Sequence, residues 1–281
     1  MGKIGAHVYL WIDEWTTEKG EYAIKKAAEI GFDLIEIPLV DPKNFEGKIH
    51  RESLRGAGIE ATASLTLPPQ FHMPENPEGA ISYLTSVLQS LREAGGSYLG
   101  GCLAYTTGKF TGYPPTKEDR QIIVDSLGEV AVRAKKLGMT IGLEVVSRID
   151  TYLYNTLTDA RETILEIGMD NVTLHADTYH MNLEEKGFYQ PLVDTADVLA
   201  YIHMSESHRG LIGTGTIDWD AVFQGLHDAK YSGPLILESF TPLTEKFTAV
   251  FKTWRTPEYT PDELGRRGLE FLRQKVSQYE L

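Results

Sequence analysis

The sequence predicts a (β/α)8 TIM barrel, an α/β fold formed by a single domain over residues 1–281. A helical stretch, a glycine and an apolar strand follow one another six times along the chain, and two further strands raise the number to eight. Strands that alternate with helices form right-handed parallel units, and eight such units in a chain of this length are typical of the barrel. The alternative is a doubly wound open sheet, but no glycine-rich phosphate fingerprint follows the first strand.

The strands are apolar runs, and most of them follow a glycine. The first strand is expected over Lys3–Leu10 and the seventh over Val198–Met204. Each of the other strands follows a glycine that ends the preceding helix, because glycine readily takes the left-handed conformation of a C-terminal cap. The capping glycines are Gly31, Gly58, Gly95, Gly138, Gly168 and Gly233.

Helices fill the intervals between strands, and three long loops follow strands three, four and eight, at residues 66–76, 105–115 and 241–254. The aromatic side chains of these loops either cover a small ligand or pack the loops and a subunit interface, and the sequence leaves both readings open. They are Phe71, Phe110, Tyr113, Phe247, Phe251 and Trp254.

Helices are expected over Glu18–Ile30, Lys43–Ala57, Pro77–Ala94, Lys117–Leu137, Thr158–Ile167, Leu192–Asp197, Asp218–Ala229 and Pro261–Gln278.

Composition and charge exclude several classes of protein. The net charge is −13, and because phosphate binding needs a basic face, nucleic acid is not an expected partner. No apolar run is long enough to span a bilayer, and the N-terminus lacks the features of a signal peptide, so no membrane association is expected. The one cysteine, Cys102, excludes an intrachain disulfide and is interpreted as a small buried side chain. A cytoplasmic protein is therefore expected.

Ionisable side chains stand at the ends of four successive predicted strands. The stretch VTLHADTYHMN, residues 172–182, places Asp177 at the end of the sixth strand, and Glu144, His203 and Glu238 end the fifth, seventh and eighth. Buried charge is costly unless it is paired or binds a metal, and the site of such a barrel lies at the C-terminal ends of its strands. Three carboxylates and one imidazole favour an octahedral divalent ion, with Mn²⁺ expected first and Mg²⁺ or Co²⁺ as alternatives.

Other polar residues near these strand ends are assigned different roles. His180, just after the sixth strand, can reach a substrate, and Arg209 suits a substrate oxygen because its charge is permanent and its donors form a fixed fork. Glu36 is expected to support the site from the second strand, and His175 is expected to pack inside its own strand. His7 is a candidate substrate-binding residue, although the sequence leaves open whether its side chain points into or out of the barrel.

A set of short motifs accompanies these residues over nearly the whole chain. Their combination and spacing resemble the ketose 3-epimerases, a family of xylose isomerase-like barrels that includes D-tagatose 3-epimerase and D-psicose (allulose) 3-epimerase. DTYHMN together with HRG and ESF is far more specific than any one motif. The motifs are EVVSR at 144–148, DTYHMN at 177–182, HMSESHRG at 203–210, GTG at 213–215 and ESF at 238–240.

The resemblance implies a role for each candidate residue. The four strand-end residues would bind the metal, and Glu144 and Glu238 would also form the acid/base pair. His180 and Arg209 match the substrate-binding histidine and arginine of the family. The family has a substrate-contacting glutamate six residues after its first metal ligand, and Asp150 stands there in this chain, one methylene shorter. The preferred sugar therefore stays open. The resemblance also implies a homodimer or homotetramer.

These inferences imply a metal-dependent epimerase that inverts C3 of a free ketose of the D-tagatose, D-psicose, D-fructose or L-ribulose type. A metal bound to the ketose oxygens would stabilise the cis-enediolate that forms when the C3 proton leaves. Glu144 and Glu238, one on each face of the carbon, would remove and return the proton. The alternatives are an aldose–ketose isomerase of the same superfamily, either hydroxypyruvate isomerase-like or acting on sugar phosphates, a metal-dependent endonuclease, and a sugar-binding module without activity.

Overall fold

Eight parallel strands close into a barrel in the computed structural model, which describes residues 2–281. Each strand pairs with its neighbours in sequence, and β1 pairs with β8 to complete the ring. The predicted single-domain (β/α)8 barrel is therefore confirmed. The strands are β1 Ile4–His7, β2 Leu34–Pro38, β3 Glu60–Thr66, β4 Tyr98–Cys102, β5 Thr140–Glu144, β6 Val172–Asp177, β7 Leu199–Ser205 and β8 Leu235–Glu238.

Helices surround the barrel, and most helices that are neighbours in sequence pack against one another around the ring. Several begin at a threonine whose hydroxyl accepts a backbone N–H of the first turn, as the N-cap residues Thr116, Thr156 and Thr260 do. The helices are α1 Thr17–Ile30, α2 Gly47–Ala57, α3 Pro77–Ala94, α4 Lys117–Lys136, α5 Leu157–Ile167, α6 Thr178–Glu184, α7 Tyr189–Asp194, α8 Trp219–Asp228, α9 Glu245–Phe251 and α10 Pro261–Tyr279.

The predicted glycine caps are confirmed at four of the six positions, and a fifth glycine, Gly138, takes the left-handed conformation one residue after the C-cap Leu137 of α4. Gly31, for example, ends α1 with a φ of 99°, in the left-handed region. Gly233 does not cap a helix, because α8 ends at Ala229 and Lys230 takes the left-handed conformation with a φ of 53°. Gly233 instead lies where a Cβ atom would stand 2.3 Å from the carbonyl oxygen of Ala200, so the close approach of two backbones requires glycine there.

The boundaries differ from the prediction in short elements. β1 ends at His7 and a 3-10 turn covers Val8–Leu10, because the side chain of His7 caps this turn through the N–H of Tyr9. α6 and α9 were not predicted, since each has only seven residues and shows too little periodicity. The short helix expected over Leu192–Asp197 is α7.

A buried cluster of polar side chains lies inside the barrel, beside a small apolar cluster formed by strand residues Leu34, Tyr98, Tyr201 and Ile236. His7, Glu36, His175, Tyr201 and His203 are each at most 3% exposed and contact one another there. The hydrophobic core instead lies where apolar side chains of the strands and helices pack together. None of the helices within residues 2–281 is both long and apolar enough to cross a membrane.

Candidate active site

The four strand-end residues predicted from the sequence lie together at the C-terminal end of the barrel. Asp177 and His203 are paired neighbours on β6 and β7, Glu144 ends β5, and Glu238 ends β8. All four side chains belong to buried residues, with exposures between 1% and 8%. Parallel strands in register bring their carboxyl ends to one face, and this geometry places the four groups at one site.

The ring of His203 stands at the centre of this cluster. Its Nδ1 lies 3.3 Å from Oε1 of Glu144 and 3.6 Å from Oε1 of Glu238. Candidate ligand atoms of Asp177, His203 and Glu238 all lie within 4.8 Å of one another. Nδ1 of His203 is buried and makes no well-aligned hydrogen bond with any residue in the range 2–281. A buried imidazole nitrogen without a partner, among three carboxylates, fits a divalent cation with oxygen-rich coordination.

The pKa shifts show that this cluster favours positive charge at its centre. Burial raises the pKa of Asp177 to about 6 and also raises the pKa of Glu144, because desolvation disfavours both carboxylates. Burial alone would lower the pKa of His203, but Glu36, Glu238 and Glu144 raise it well above its usual range. The negative charges are therefore compensated by His203 and Arg209 in this structure, and a metal ion can supply the same compensation.

Arg209 is held firmly beside the carboxylates. Its Nη1 donates to Oδ2 of Asp177 at 3.0 Å, to Oγ of Ser205 at 2.8 Å, and to Glu238. Its guanidinium also lies over the rings of Tyr179 and Phe240, at 3.9 and 4.9 Å from the ring centroids. Burial opposes its charge, but Asp177 and Glu238 raise the pKa of Arg209 and keep it cationic.

His180 and Asp150 lie on the same side of the site and share Ser147. The Nδ1 of His180 accepts the N–H of Ser147 at 3.1 Å, and its Nε2 lies 3.2 Å from Nη2 of Arg209. Burial, with the charge of Arg209, lowers the pKa of His180 well below its usual range, so the ring is neutral. Asp150 accepts a hydrogen bond from Oγ of Ser147 at 2.8 Å and lies 3.8 Å from Nδ1 of His180. The structure thus brings together three of the four predicted substrate-binding residues, Asp150, His180 and Arg209.

His7, the fourth of them, points into the barrel. Its Nδ1 accepts the N–H of Tyr9 at 3.1 Å, and its Nε2 lies 3.6 Å from Oε1 of Glu36. Burial lowers the pKa of His7 to about 4, although Glu36 opposes this shift, so the ring is neutral. The direction that the sequence left open is therefore inward, and contact with a substrate stays a prediction for this residue. His175 also packs inside the barrel as expected, with its ring centroid 4.2 Å from that of His203.

Sequence reasoning missed the small residues that support the candidate groups. Ser147 donates a hydrogen bond to Asp150, and Ser205 accepts one from Arg209, but an isolated serine carries no distinguishing signal. Tyr179, which lies against Arg209, falls within the DTYHMN motif, and its aromatic side chain next to His180 was the available clue.

The long-loop aromatics divide into two groups. Phe71 stacks on Tyr83 of α3 at 4.8 Å, and the rings of Phe247 and Phe251 lie 4.9 Å from that of Tyr9. These three therefore pack the loops onto the barrel. The other aromatics are more than half exposed, with Phe110 at 51%, Trp254 at 73% and Tyr113 at 78%.

The loop after β7, residues 206–218, contains a buried glutamate, Glu206. Both carboxylate oxygens of Glu206 accept backbone N–H groups, from Ser207 and Gly213 at 2.9 Å and from Ile217 at 3.3 Å. The indole N–H of Trp219 donates to the same carboxylate at 2.9 Å. Three backbone N–H groups of this loop and the indole of Trp219 are therefore already bound to the protein's own carboxylate.

Comparisons with known proteins match nearly the whole chain. A family model described as a xylose isomerase-like TIM barrel matches residues 24–275. A ketose 3-epimerase of Arthrobacter globiformis is 34% identical over 98% of this chain and 97% of its own. An L-ribulose 3-epimerase of Methylomonas sp. (strain DH-1) is 32% identical over 96% of each chain. The crystal structure of a D-allulose 3-epimerase from Methylomonas sp. in complex with D-allulose has a TM-score of 0.93 at 32% identity, covering 98% of this chain and 97% of that one.

Proposed function

Because this chain belongs to the ketose 3-epimerases, carbohydrate epimerases within the xylose isomerase-like TIM barrels, we propose that it inverts C3 of a free ketose and depends on a divalent metal ion. The observation that carries the finer part of this proposal is the position of two glutamates. Glu144 from β5 and Glu238 from β8 both approach Nδ1 of His203, within 3.3 and 3.6 Å. Two carboxylates that border one space are what inversion at a carbon requires, since a proton must leave one face and return to the other.

The metal would be held by Glu144, Asp177, His203 and Glu238. The mostly oxygen donor set favours Mn²⁺, with Mg²⁺ or Co²⁺ as alternatives, over a structural zinc ion. When bound, such an ion acts as a Lewis acid that makes the proton at C3 of a coordinated ketose easier to remove.

Glu144 and Glu238 would divide the proton transfer between them. One carboxylate removes the C3 proton and leaves a cis-enediolate of the sugar, and the other returns a proton to the opposite face. Ligation of a metal ion lowers the basicity of a carboxylate, and burial, which raises the pKa of Glu144, opposes that effect. The barrel would also keep bulk water away from the reacting carbon, since both glutamates are less than 9% exposed.

His180 and Arg209 would orient the sugar through converging donors. Because Nδ1 of His180 accepts a backbone N–H, the neutral ring carries its proton on Nε2. Nε2 then stands 3.2 Å from the guanidinium nitrogen Nη2, so two donors face the same space. An oxygen of the substrate that carries developing negative charge would accept from both. Asp150, beside them, would accept a hydrogen bond from a sugar hydroxyl, and His7 of β1 stays a candidate substrate-binding residue.

A free ketose fits the loop after β7 better than a ketose phosphate does. TIM barrels frequently bind phosphate through the loops after strands seven and eight. In this chain Glu206 occupies three backbone donors of the loop after β7, and its negative charge would repel a phosphate group there. A sugar-phosphate isomerase or epimerase is therefore the weaker alternative.

The remaining alternatives have less support. An aldose–ketose isomerase could use the same enediolate and return the proton to another carbon, so products must be measured to separate it. An endonuclease needs a basic groove, whereas this chain carries a net charge of −13. A sugar-binding module would not need two buried glutamates beside one histidine. The cytoplasmic location and the dimeric or tetrameric assembly stay predictions.

The experiment that tests the proposal is a product analysis with several sugars. Purified protein is incubated with free ketohexoses, ketopentoses and their phosphates, before and after removal of metal by a chelator, and with Mn²⁺ added back. We expect interconversion of C3 epimers of free ketoses, loss of turnover on chelation, and recovery with Mn²⁺ or Co²⁺. Full activity in exhaustively metal-free protein would contradict the metal requirement, and aldose products without C3 epimers would favour the isomerase.

A further inference from the structure

Glu36 is a buried carboxylate that neither binds the metal nor transfers a proton in the proposed reaction. It lies on β2 and is 0% exposed, inside the barrel and outside the set of four strand-end residues. An ionised carboxylate is costly in such a place unless its oxygens are satisfied, so its partners indicate what it does.

The nearest functional partner of Glu36 is His203. Oε1 of Glu36 lies 2.8 Å from Nε2 of His203, across the barrel interior from β2 to β7. A carboxylate only accepts hydrogen bonds, so Nε2 carries a hydrogen in this contact. The other ring nitrogen, Nδ1, is the buried atom without a well-aligned partner that faces Glu144 and Glu238.

Three other strands hold the Glu36 carboxylate in place. The hydroxyl of Ser64 on β3 donates to Oε1 at 2.6 Å, and the hydroxyl of Tyr201 on β7 donates to Oε2. The hydroxyl of Thr62 lies 2.7 Å from that of Tyr201 and orients it. His7 on β1 places its Nε2 3.6 Å away. With contacts from β1, β3 and β7, the carboxylate has little freedom to turn, and neither does the imidazole bonded to it.

We propose that Glu36 is the positioning residue that orients His203, directing Nδ1 toward Glu144 and Glu238 so that it can bind the metal ion. This inference rests on the proposed metal-dependent function. A carboxylate that accepts the second ring N–H of a histidine fixes the tautomer and ring orientation and makes the other nitrogen a stronger ligand. Glu36 itself touches neither the metal nor the sugar.

The test compares the affinity of metal-free variants for Mn²⁺, measured from the electron paramagnetic resonance signal of the free ion. Glu36→Gln keeps the size of the side chain but replaces one acceptor oxygen by a donor group. We expect its dissociation constant for Mn²⁺ to rise about 10- to 100-fold, with turnover recovering as Mn²⁺ is increased. A folded Glu36→Gln protein that binds Mn²⁺ as tightly as the wild type overturns the inference.

Glu206→Gln is the matched control, because Glu206 is also a buried glutamate with several hydrogen bonds but has none to His203. It should lower the melting temperature without changing the affinity for Mn²⁺. Equal weakening of Mn²⁺ binding in both variants would show a general loss of structure and overturn the inference.

If Glu36→Gln does not fold, Tyr201→Phe and Ser64→Ala test the same idea with the carboxylate present. Each removes one hydroxyl that holds it, and we expect a smaller rise in the dissociation constant for Mn²⁺. Unchanged affinity in both variants overturns the inference. A wild-type protein that epimerises ketoses but binds no Mn²⁺, Mg²⁺ or Co²⁺ contradicts the metal-dependent function, and the inference fails with it.

Discussion

The guanidinium of Arg209 lies over the ring of Tyr179, with 3.9 Å between its central carbon and the ring centroid. This contact and the hydrogen bonds to Asp177 and Ser205 hold a cation beside the carboxylates of the site. The backbone of Arg209 adopts a φ of 57°, a left-handed conformation that is unusual for a residue with a side chain. Such geometry indicates that the position of this side chain is strongly determined by its surroundings.

Replacement of Arg209 by lysine should therefore lower activity, although the positive charge is retained. A lysine ammonium cannot bind the carboxylates and face His180 together, because it lacks the planar fork. We expect Arg209→Lys to lower kcat/KM by about 10²-fold, as the loss of a donor to developing charge does. Tyr179→Phe keeps the ring face and is the control, with little expected change. Near-normal steady-state kinetics for Arg209→Lys with several ketoses would contradict a role in orienting the substrate.

The reach of Asp150 should influence which ketose is preferred. Asp150→Glu lengthens the side chain by one methylene and restores the length of the family residue. We expect the ratios of kcat/KM among ketohexoses and ketopentoses to change, with little change in melting temperature, because this side chain is 23% exposed. Ser147→Ala removes the hydrogen bond to Asp150 without altering its length and serves as the control. Identical ratios in Asp150→Glu and wild type would show that Asp150 does not contact the sugar.

The two glutamates should serve opposite faces of C3. Glu238→Gln keeps an oxygen ligand for the metal but removes one base, and epimerisation should fall by about 10²–10⁴-fold. Residual exchange of the C3 hydrogen in heavy water should occur only with the epimer whose proton faces Glu144. Glu144→Gln should show the opposite pattern, and nuclear magnetic resonance of each epimer measures both.

Metal content must be determined for both glutamine variants, since loss of the ion would imitate loss of a base. If both variants retain the ion and still exchange both epimers at equal rates, the two-base assignment is wrong. A single mobile base or a water molecule would then carry the proton.

The carboxylate of Glu206 should make stability depend on pH. Burial alone would raise its pKa, but hydrogen bonds from Ser207, Trp219, Gly213 and Ile217 hold the pKa below its usual value of 4.5. A carboxylate with a lowered folded-state pKa stabilises the protein above its unfolded pKa, and this contribution is lost as the pH falls through the folded value. At pH 7 we expect Glu206→Gln to reduce the free energy of unfolding by about 1–3 kcal/mol.

The difference in the free energy of unfolding between wild type and Glu206→Gln should shrink as the pH falls below 4.5, the usual pKa of a glutamate. Urea denaturation of metal-free protein at several pH values measures it. Glu270→Gln, at an exposed position on α10, is the control and should leave stability unchanged at every pH. A difference that is the same at every pH measured would show that the charge of Glu206 does not contribute to stability.

Local patterns in the sequence predicted the long elements and failed at the short ones. α4 and α10 follow threonine caps and have 20 and 19 residues, so their periodicity was evident. α6 and α9 have seven residues each and are held mainly by packing, as the burial of Phe247 in α9 shows. Gly233 was predicted as a cap because glycine is common at the C-terminal ends of helices. In the structure, glycine is required there because the backbone of Ala200 lies too close for a side chain.

By itself the sequence determined the barrel and its four strand-end residues, because alternating strands and helices bring the ends of parallel strands to one face. The motifs also led to the family that the comparisons confirm. Only the tertiary structure decided that His7 points inward, that Glu206 fills its own loop, and that Glu36 contacts His203, 167 positions away. Contacts of this kind depend on the closure of the barrel and on side-chain direction across its interior, and no local pattern in the chain encodes them.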